Sequence, residues 1–417
     1  MTTEAHRAIE AIWRIESAKI IAALTRITGD VGQAEDLAQD ALLAAMEQWP
    51  SEGTPSNPGA WLMGTAKHRA IDAMRRHKML TRKHEQLGYE LEEQQQTAPD
   101  LDSAIDDQVG DDLLRLVFIA CHPILTREAR VALTLRLLGG LTTPEIARAF
   151  LSTEPTIQQR IVRAKKTLAD AKIPFVVPRG DELTARLESV LEVIYLIFNE
   201  GYSATAGEDW VRPALCDDAL RLGRIVAELM PQEAEVHGLV ALMEIQASRL
   251  RARVGAGGEP VLLLDQDRSR WDQLLIGRGL TALERAESIT DVAGPYQLQA
   301  AIAACHARAR TADATDWERV AALYAVLGQL APSPVVELNR AVAVSMAHGP
   351  KAGLEIVDAL RNEKALRDYH LLPSVRGDLL SKLGRKAEAK AEFERAARMT
   401  DNERERALLL KRAGGAA

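Results

Sequence analysis

Apolar residues recur along most of this chain at spacings of three and four, the period of a helix packed on one face, and no convincing stretch alternates apolar with polar as a half-buried strand would. The expected fold class is all-α. The most informative stretch runs from Gly140 to Leu168. Thr142 with Glu145 makes a capping box that starts one helix, and Pro144 occupies an early position where no amide hydrogen bond is owed. Thr153 starts a second helix, whose Ile157, Ile161, Ala164 and Leu168 share a core-facing stripe while Gln158, Gln159, Arg160, Arg163, Lys165 and Lys166 fall in or near solvent. Two short capped helices in tandem read as a helix-turn-helix. Upstream, Asp30 with Gln33 caps a helix striped by Ala34, Leu37, Ala38, Ala41, Leu42, Ala45 and Met46, with an acidic and amide-bearing far face of Glu35, Asp36, Gln39, Asp40 and Glu47. The Pro, Gly and Ser content from Trp49 to Asn57 predicts a loop. Asn57 then caps, and Pro58 opens, a helix bearing Trp61, Leu62, Ala66, Ala70 and Ala73 that ends in Arg75, Arg76, His77 and Lys78; Trp61 is assigned to the core.

These patterns divide the chain. Residues 1–83 form a first helical module and 112–174 a second, in which Thr126 caps a helix and Gly139 and Gly140 turn the chain. Between them, residues 84–111 read as an acidic linker with few apolar positions. Residues 175–294 are an α-helical extension, and 295–413 carry a repeat pattern. In the last repeat Leu380, Gly384, Lys386, Glu388, Ala389, Phe393 and Ala396 fall at the offsets of a tetratricopeptide helix pair, with Gly384 in the turn. In the run from Phe198 to Ala204, Gly201 is expected to stop a helix, with Phe198 and Tyr202 packing around it.

At 417 residues the chain suggests about three domains. A net charge of −7, taken as a sum, argues against a nucleic-acid partner, but the charge is segregated. Residues 67–83 hold seven Lys or Arg against Asp72, whereas 84–112 hold ten acids and no Lys or Arg. On the second helix of the helix-turn-helix, glutamine can pair with an adenine edge, and arginine or lysine can fork onto guanine or neutralise phosphate; a plain amphipathic surface helix is the alternative. Cys121, Cys216 and Cys305 lie far apart, which favours buried free thiols over a disulfide framework or a zinc site. No apolar run is long enough to span a membrane, and a cytoplasmic protein is expected. No Gly-rich phosphate loop, HExxH pair or Ser, His and Asp constellation stands out, so neither an enzyme nor a cofactor or metal site is expected. His122, His237, His306 and His370 are read as structural or surface residues.

The order AEDLAQDALLAAMEQW, PGAWLMGTAKHRAIDAMRR, acidic linker and helix-turn-helix resembles bacterial sigma factors of the extracytoplasmic-function type, over about residues 8–172. With its long helical extension containing tetratricopeptide-like repeats, the chain resembles a particular subgroup of that family. The resemblance implies two small modules, region 2 and region 4, followed by the large α-helical domain. It also implies that Glu35, Asp36, Gln39 and Asp40 dock on core RNA polymerase at the β′ coiled coil, with β a further partner. Lys67, His68, Arg69, Arg75 and Arg76 would hold the separated −10 DNA; His68 stands where an Asn is common in the family pattern. The loop from Trp49 to Asn57 would receive a flipped base. Thr156, Gln158, Gln159, Arg160, Arg163 and Lys166 would read the −35 duplex of promoter DNA.

The function so implied is a promoter-specificity subunit that helps open DNA in transcription initiation, with the extension regulating activity or binding a protein or peptide partner. The alternative is a polymerase-independent helix-turn-helix regulator with a repeat-type sensor. The acidic linker is expected to cover the basic face of the free protein as a decoy for DNA.

Overall fold

The computed structural model describes residues 2–85, 109–150, 152–204, 206–207 and 210–415. Most of the acidic linker, and with it the decoy expectation, lies outside the described residues. Among the described residues the regular elements are helical as expected, apart from one parallel pairing of two-residue strands, β1 (Ala206–Gly207) and β2 (Asp401–Asn402), and an isolated antiparallel bridge between Val254 and Pro260. The chain forms two compact units, Met1–Val193 and Ile194–Ala417.

The first unit contains α1 (Thr2–Thr28), α2 (Val31–Glu52), α3 (Pro58–Glu85), α4 (Val109–Ala120), α5 (Arg127–Leu137), α6 (Thr143–Ala149), α7 (Glu154–Asp170) and the first half of α8 (Asp181–Tyr202). Its caps follow the sequence: Asp30 accepts from the Gln33 amide at 2.7 Å, Asn57 from the Ala60 amide at 3.1 Å and Thr126 from the Ala129 amide at 3.3 Å. Ala34, Ala38, Ala41 and Ala45 of α2, with Leu62, Ala66 and Ala70 of α3, are buried, and so many small side chains let the helices approach closely. The early part of α8 satisfies free carbonyls around the C-terminus of α4: Arg186 donates to the Phe118 carbonyl at 2.7 Å and Ser189 to the Cys121 carbonyl at 2.6 Å.

One expectation is corrected here. The segment from Trp49 is not a loop at once, because α2 continues through Pro50 to Glu52. Proline removes only one ladder bond in a last turn, and Gly53, at φ 89°, closes that turn by donating to the Trp49 carbonyl at 2.9 Å. Trp49 is therefore buried, its ring 5.3 Å from that of half-buried Trp61 in an edge-on arrangement.

The second unit continues from α8 through α9 (Pro213–Leu229), α10 (Ala234–Ala247), α11 (Gln273–Ile289), α12 (Pro295–Arg308), α13 (Trp317–Leu330), α14 (Pro334–His348), α15 (Pro350–Ala359), α16 (Leu371–Lys382), α17 (Lys386–Met399) and α18 (Glu403–Gly415). Successive helices pack as pairs. Between α16 and α17 the turn is made at Gly384, φ 73°, while Leu380, Ala389, Phe393 and Ala396 are buried, as their repeat offsets predict. Gly201 departs from expectation. The helix runs past it to Tyr202, and a Cβ there would meet the Cys216 amide nitrogen at 2.7 Å, so close approach of α9 demands the glycine. Phe198 and Tyr202 do stack, 5.7 Å apart. Tyr195, Tyr202, Tyr296, Tyr324 and Tyr369 all belong to this unit, whereas α4 to α7 carry neither Trp nor Tyr.

Candidate polymerase and nucleic-acid interface

The helix-turn-helix is built as the sequence predicts. The Thr142 amide donates to Glu145 at 2.8 Å and the Glu145 amide to the Thr142 hydroxyl at 3.4 Å, which closes the capping box before α6. Thr153 caps α7 by accepting from the Thr156 amide at 3.3 Å. Ile157, Ile161, Ala164 and Leu168 are buried. Thr156, Gln158, Gln159, Arg163 and Lys166 are exposed and Arg160 is half-buried, so the six proposed −35 contacts occupy the free side of one helix.

Lys165 is different. It turns inward onto Glu35 of α2, which it meets as an ion pair. Glu35 is only 2% exposed and also takes the Arg136 Nε at 2.5 Å and the Gln39 side-chain amide at 2.6 Å. Arg136 in turn donates to the Leu141 carbonyl at 3.2 Å, at the start of the helix-turn-helix. One carboxylate thus ties the recognition helix and α5 to the acidic face of α2. A second tie joins Arg14 of α1 to Glu145 of the capping box. Gly140 lies between them at φ 69°, where a Cβ would stand 3.0 Å from the Ser17 hydroxyl and 3.3 Å from the Arg14 Cα.

Of the four docking candidates on that face, then, Asp36 and Asp40 are exposed, Gln39 is half-buried and Glu35 is enclosed. Asp40 meets the basic helix. Arg69 donates to its backbone carbonyl at 2.7 Å and stands 3.8 Å from its carboxylate, which brings together residues assigned to two different partners. Lys67 is half-buried, and His68 and Arg75 are exposed along α3; Arg76 belongs to the same helix, but its side chain lies outside the described residues. Sequence reasoning missed Arg136, because on a helix that also carries Arg127, Glu128 and Arg130 one more cation bears no local mark of a distant acid.

Known proteins resolve what this arrangement is. Residues 14–79 match sigma-70 region 2, residues 115–168 match sigma-70 region 4, and residues 186–287 match a family of unknown function, DUF6596. The chain belongs to the sigma-70 family, as a sigma factor of the extracytoplasmic-function type acting in transcription initiation. A full-length relative is the uncharacterized protein R00370 of Rhizobium meliloti (strain 1021), 43% identical over 93% of this chain and 90% of the relative. Over the front of the chain, the ECF RNA polymerase sigma factor SigL of Mycobacterium tuberculosis (strain ATCC 25618 / H37Rv) is 29% identical, covering 34% of this chain and 76% of the relative. SigK of Mycobacterium ulcerans (strain Agy99) is 28% identical over 36% of this chain and 78% of its own. No solved structure matches. A polymerase-independent regulator would have no use for region 2 and is not favoured.

Proposed function

We propose that this sigma factor binds core RNA polymerase through Asp36, Gln39 and Asp40, with Glu35 joining them once it is uncovered, and that the contact is made on the β′ coiled coil with region 4 seated on β. The outward side of α7, Thr156, Gln158, Gln159, Arg160, Arg163 and Lys166, reads the −35 duplex. Lys67, His68, Arg69, Arg75 and Arg76 hold the parted −10 strand by its phosphates. Residues 1–83 and 112–174 are the two working modules, joined by the linker 84–111, and the protein works in the cytoplasm without catalysing covalent chemistry. Residues 175–294 and the repeats of 295–413 regulate it or take a protein or peptide partner.

The observation that carries this reading is the free amide and cation face of α7 above a buried apolar stripe. The Glu35 node adds a condition. For Glu35 to meet a polymerase coiled coil, Lys165 and Arg136 must leave it, so in the free chain the recognition helix is stored against the docking helix. Each DNA-binding surface makes few phosphate contacts by itself, and mounting both on polymerase raises the effective concentration of the second contact.

The test is co-purification with core polymerase followed by initiation on promoter templates. Asp36→Lys with Asp40→Lys should abolish both association and initiation. If the double variant still binds core polymerase, the docking assignment fails. If the purified wild-type pair initiates on no template, the promoter role fails.

A further inference from the structure

An exposed helix position favours a long polar side chain or alanine, because valine loses side-chain freedom against the preceding turn and leaves its methyl groups in water. Most of the free side of α7 obeys this. Its large apolar residues Ile157, Ile161 and Leu168 are buried, and Gln158, Gln159, Arg163 and Lys166 are exposed amides and cations. Val162 is the exception, 57% exposed. A lone exposed valine is ordinary on a protein surface, so its place decides what it means.

Residues three and four apart share a helix face. Val162 stands four after Gln158, three after Gln159 and four before Lys166, with Arg163 beside it, on the side away from the buried stripe of Ile157, Ile161, Ala164 and Leu168. The margins of that side are also fixed. Lys165 turns inward onto Glu35, Arg160 is half-buried, and the Thr156 hydroxyl shares a hydrogen bond with that of Thr153 at 2.7 Å in the cap. Val162 therefore lies in the middle of the outward surface, among two amides and two cations.

The major groove shows hydrogen-bond donors and acceptors at every base pair, and thymine alone adds an apolar group, its C5-methyl. Valine carries no side-chain donor or acceptor. Against the edge of guanine or cytosine it would strip water from polar atoms and return no hydrogen bond, whereas against a thymine methyl apolar surface is buried on both sides.

We propose that Val162 is a specificity-determining residue that packs its methyl groups on the C5-methyl of one thymine in the −35 element. This rests on the proposed assignment of α7 to the −35 duplex. A rise of about 1.5 Å per residue sets Val162 about 4.5 to 6 Å along α7 from Gln159 and Gln158, and bases on one strand follow each other about every 3.4 Å. The thymine thus lies within one or two base pairs of a base that a glutamine reads.

The experiment uses the holoenzyme, formed from the full chain and core polymerase, on a promoter duplex that it selects from a random-sequence pool. Each thymine of the −35 element, on either strand, is replaced in turn by deoxyuridine, which keeps the base pairing and removes only the methyl group. Wild type should lose about fourfold in affinity at one thymine, the worth of one buried methyl group. Val162→Ala improves helix propensity at an exposed position and so should fold as wild type does; it should bind the thymine and uracil duplexes equally. Wild type that binds every uracil duplex as tightly as the parent overturns the assignment. So does a Val162→Ala holoenzyme that still tells thymine from uracil at that position, and so does a selected −35 element without an A·T pair. These three results leave α7 on the −35 duplex, whereas a holoenzyme that selects no −35 sequence at all removes that role and the role of Val162 with it.

Discussion

Glu35 shows how one side chain can have two readings. From its position beside Asp36, Gln39 and Asp40 it belongs to a polar face, and that much was legible because a helix repeats every three to four residues. Its enclosure was not legible, since its partners Arg136 and Lys165 are distant in sequence and nothing local marks them. Glu35→Gln should leave two cations poorly compensated and lower stability by about 3 kcal/mol in urea unfolding, as loss of one member of a buried pair does. Lys165→Met should cost only about 1 kcal/mol, because Arg136 and Gln39 still hold the carboxylate. Equal losses for the two would contradict the node. At His306 the sign is set by burial first and by Arg249 and Arg268 second, which together bring its pKa down to about 4. The unfolded chain takes up this proton near pH 6.5 and the folded one only near 4, so stability is full above pH 6.5 and falls as acid is added through that window. The contribution is roughly 3 kcal/mol. His306→Gln should flatten that part of a stability-against-pH curve.

At the scale of elements, the ends of helices were the most legible feature. Capping is an exchange between residues three apart, so Asp30, Asn57, Thr126, Thr142 and Thr153 declare themselves in any window of sequence. Thr142→Ala should destabilise the helix-turn-helix by about 1 kcal/mol, and hydrogen exchange of the amides opening α6 should accelerate in step. What happens to a proline or glycine is harder to foresee. Pro50 was legible as a breaker, but whether it starts a loop or rides in a last turn depends on Gly53, whose positive φ completes the turn. Gly201 similarly looked like a stop and is instead a contact point between α8 and α9. Gly201→Ala would press a methyl group into the Cys216 backbone and should cost about 1 to 3 kcal/mol in thermal or chemical unfolding; a neutral result would show that α9 can yield.

For the whole molecule, the division of charge by region outweighs its sum. A chain of net −7 still presents one helix face of amides and cations and concentrates seven Lys or Arg between residues 67 and 83 of its sequence. Binding of the holoenzyme to promoter DNA should therefore weaken steeply with salt. Replacing Arg163 or Lys166 by Gln should each make the logarithmic slope shallower by about 0.9, the share of one neutralised phosphate. An unchanged slope would place those residues away from the backbone. The helical class and the sigma-type front modules were readable because their signals are local and dense. The packing of Arg249 and Arg253 against the Tyr202 ring was not, because contacts between separate elements leave no mark in either segment.

The uneven placement of aromatic residues sets what light can report. With every described tyrosine in the second unit and no indole or phenol from α4 to α7, the helix-turn-helix carries no emitter of its own, and Trp13, Trp49 and Trp61 of the first unit report on it only from α1 to α3. Departure of α7 from α2 has no reporter on the moving helix itself. A tryptophan introduced at Val162, which is 57% exposed on α7, would give that step a signal of its own.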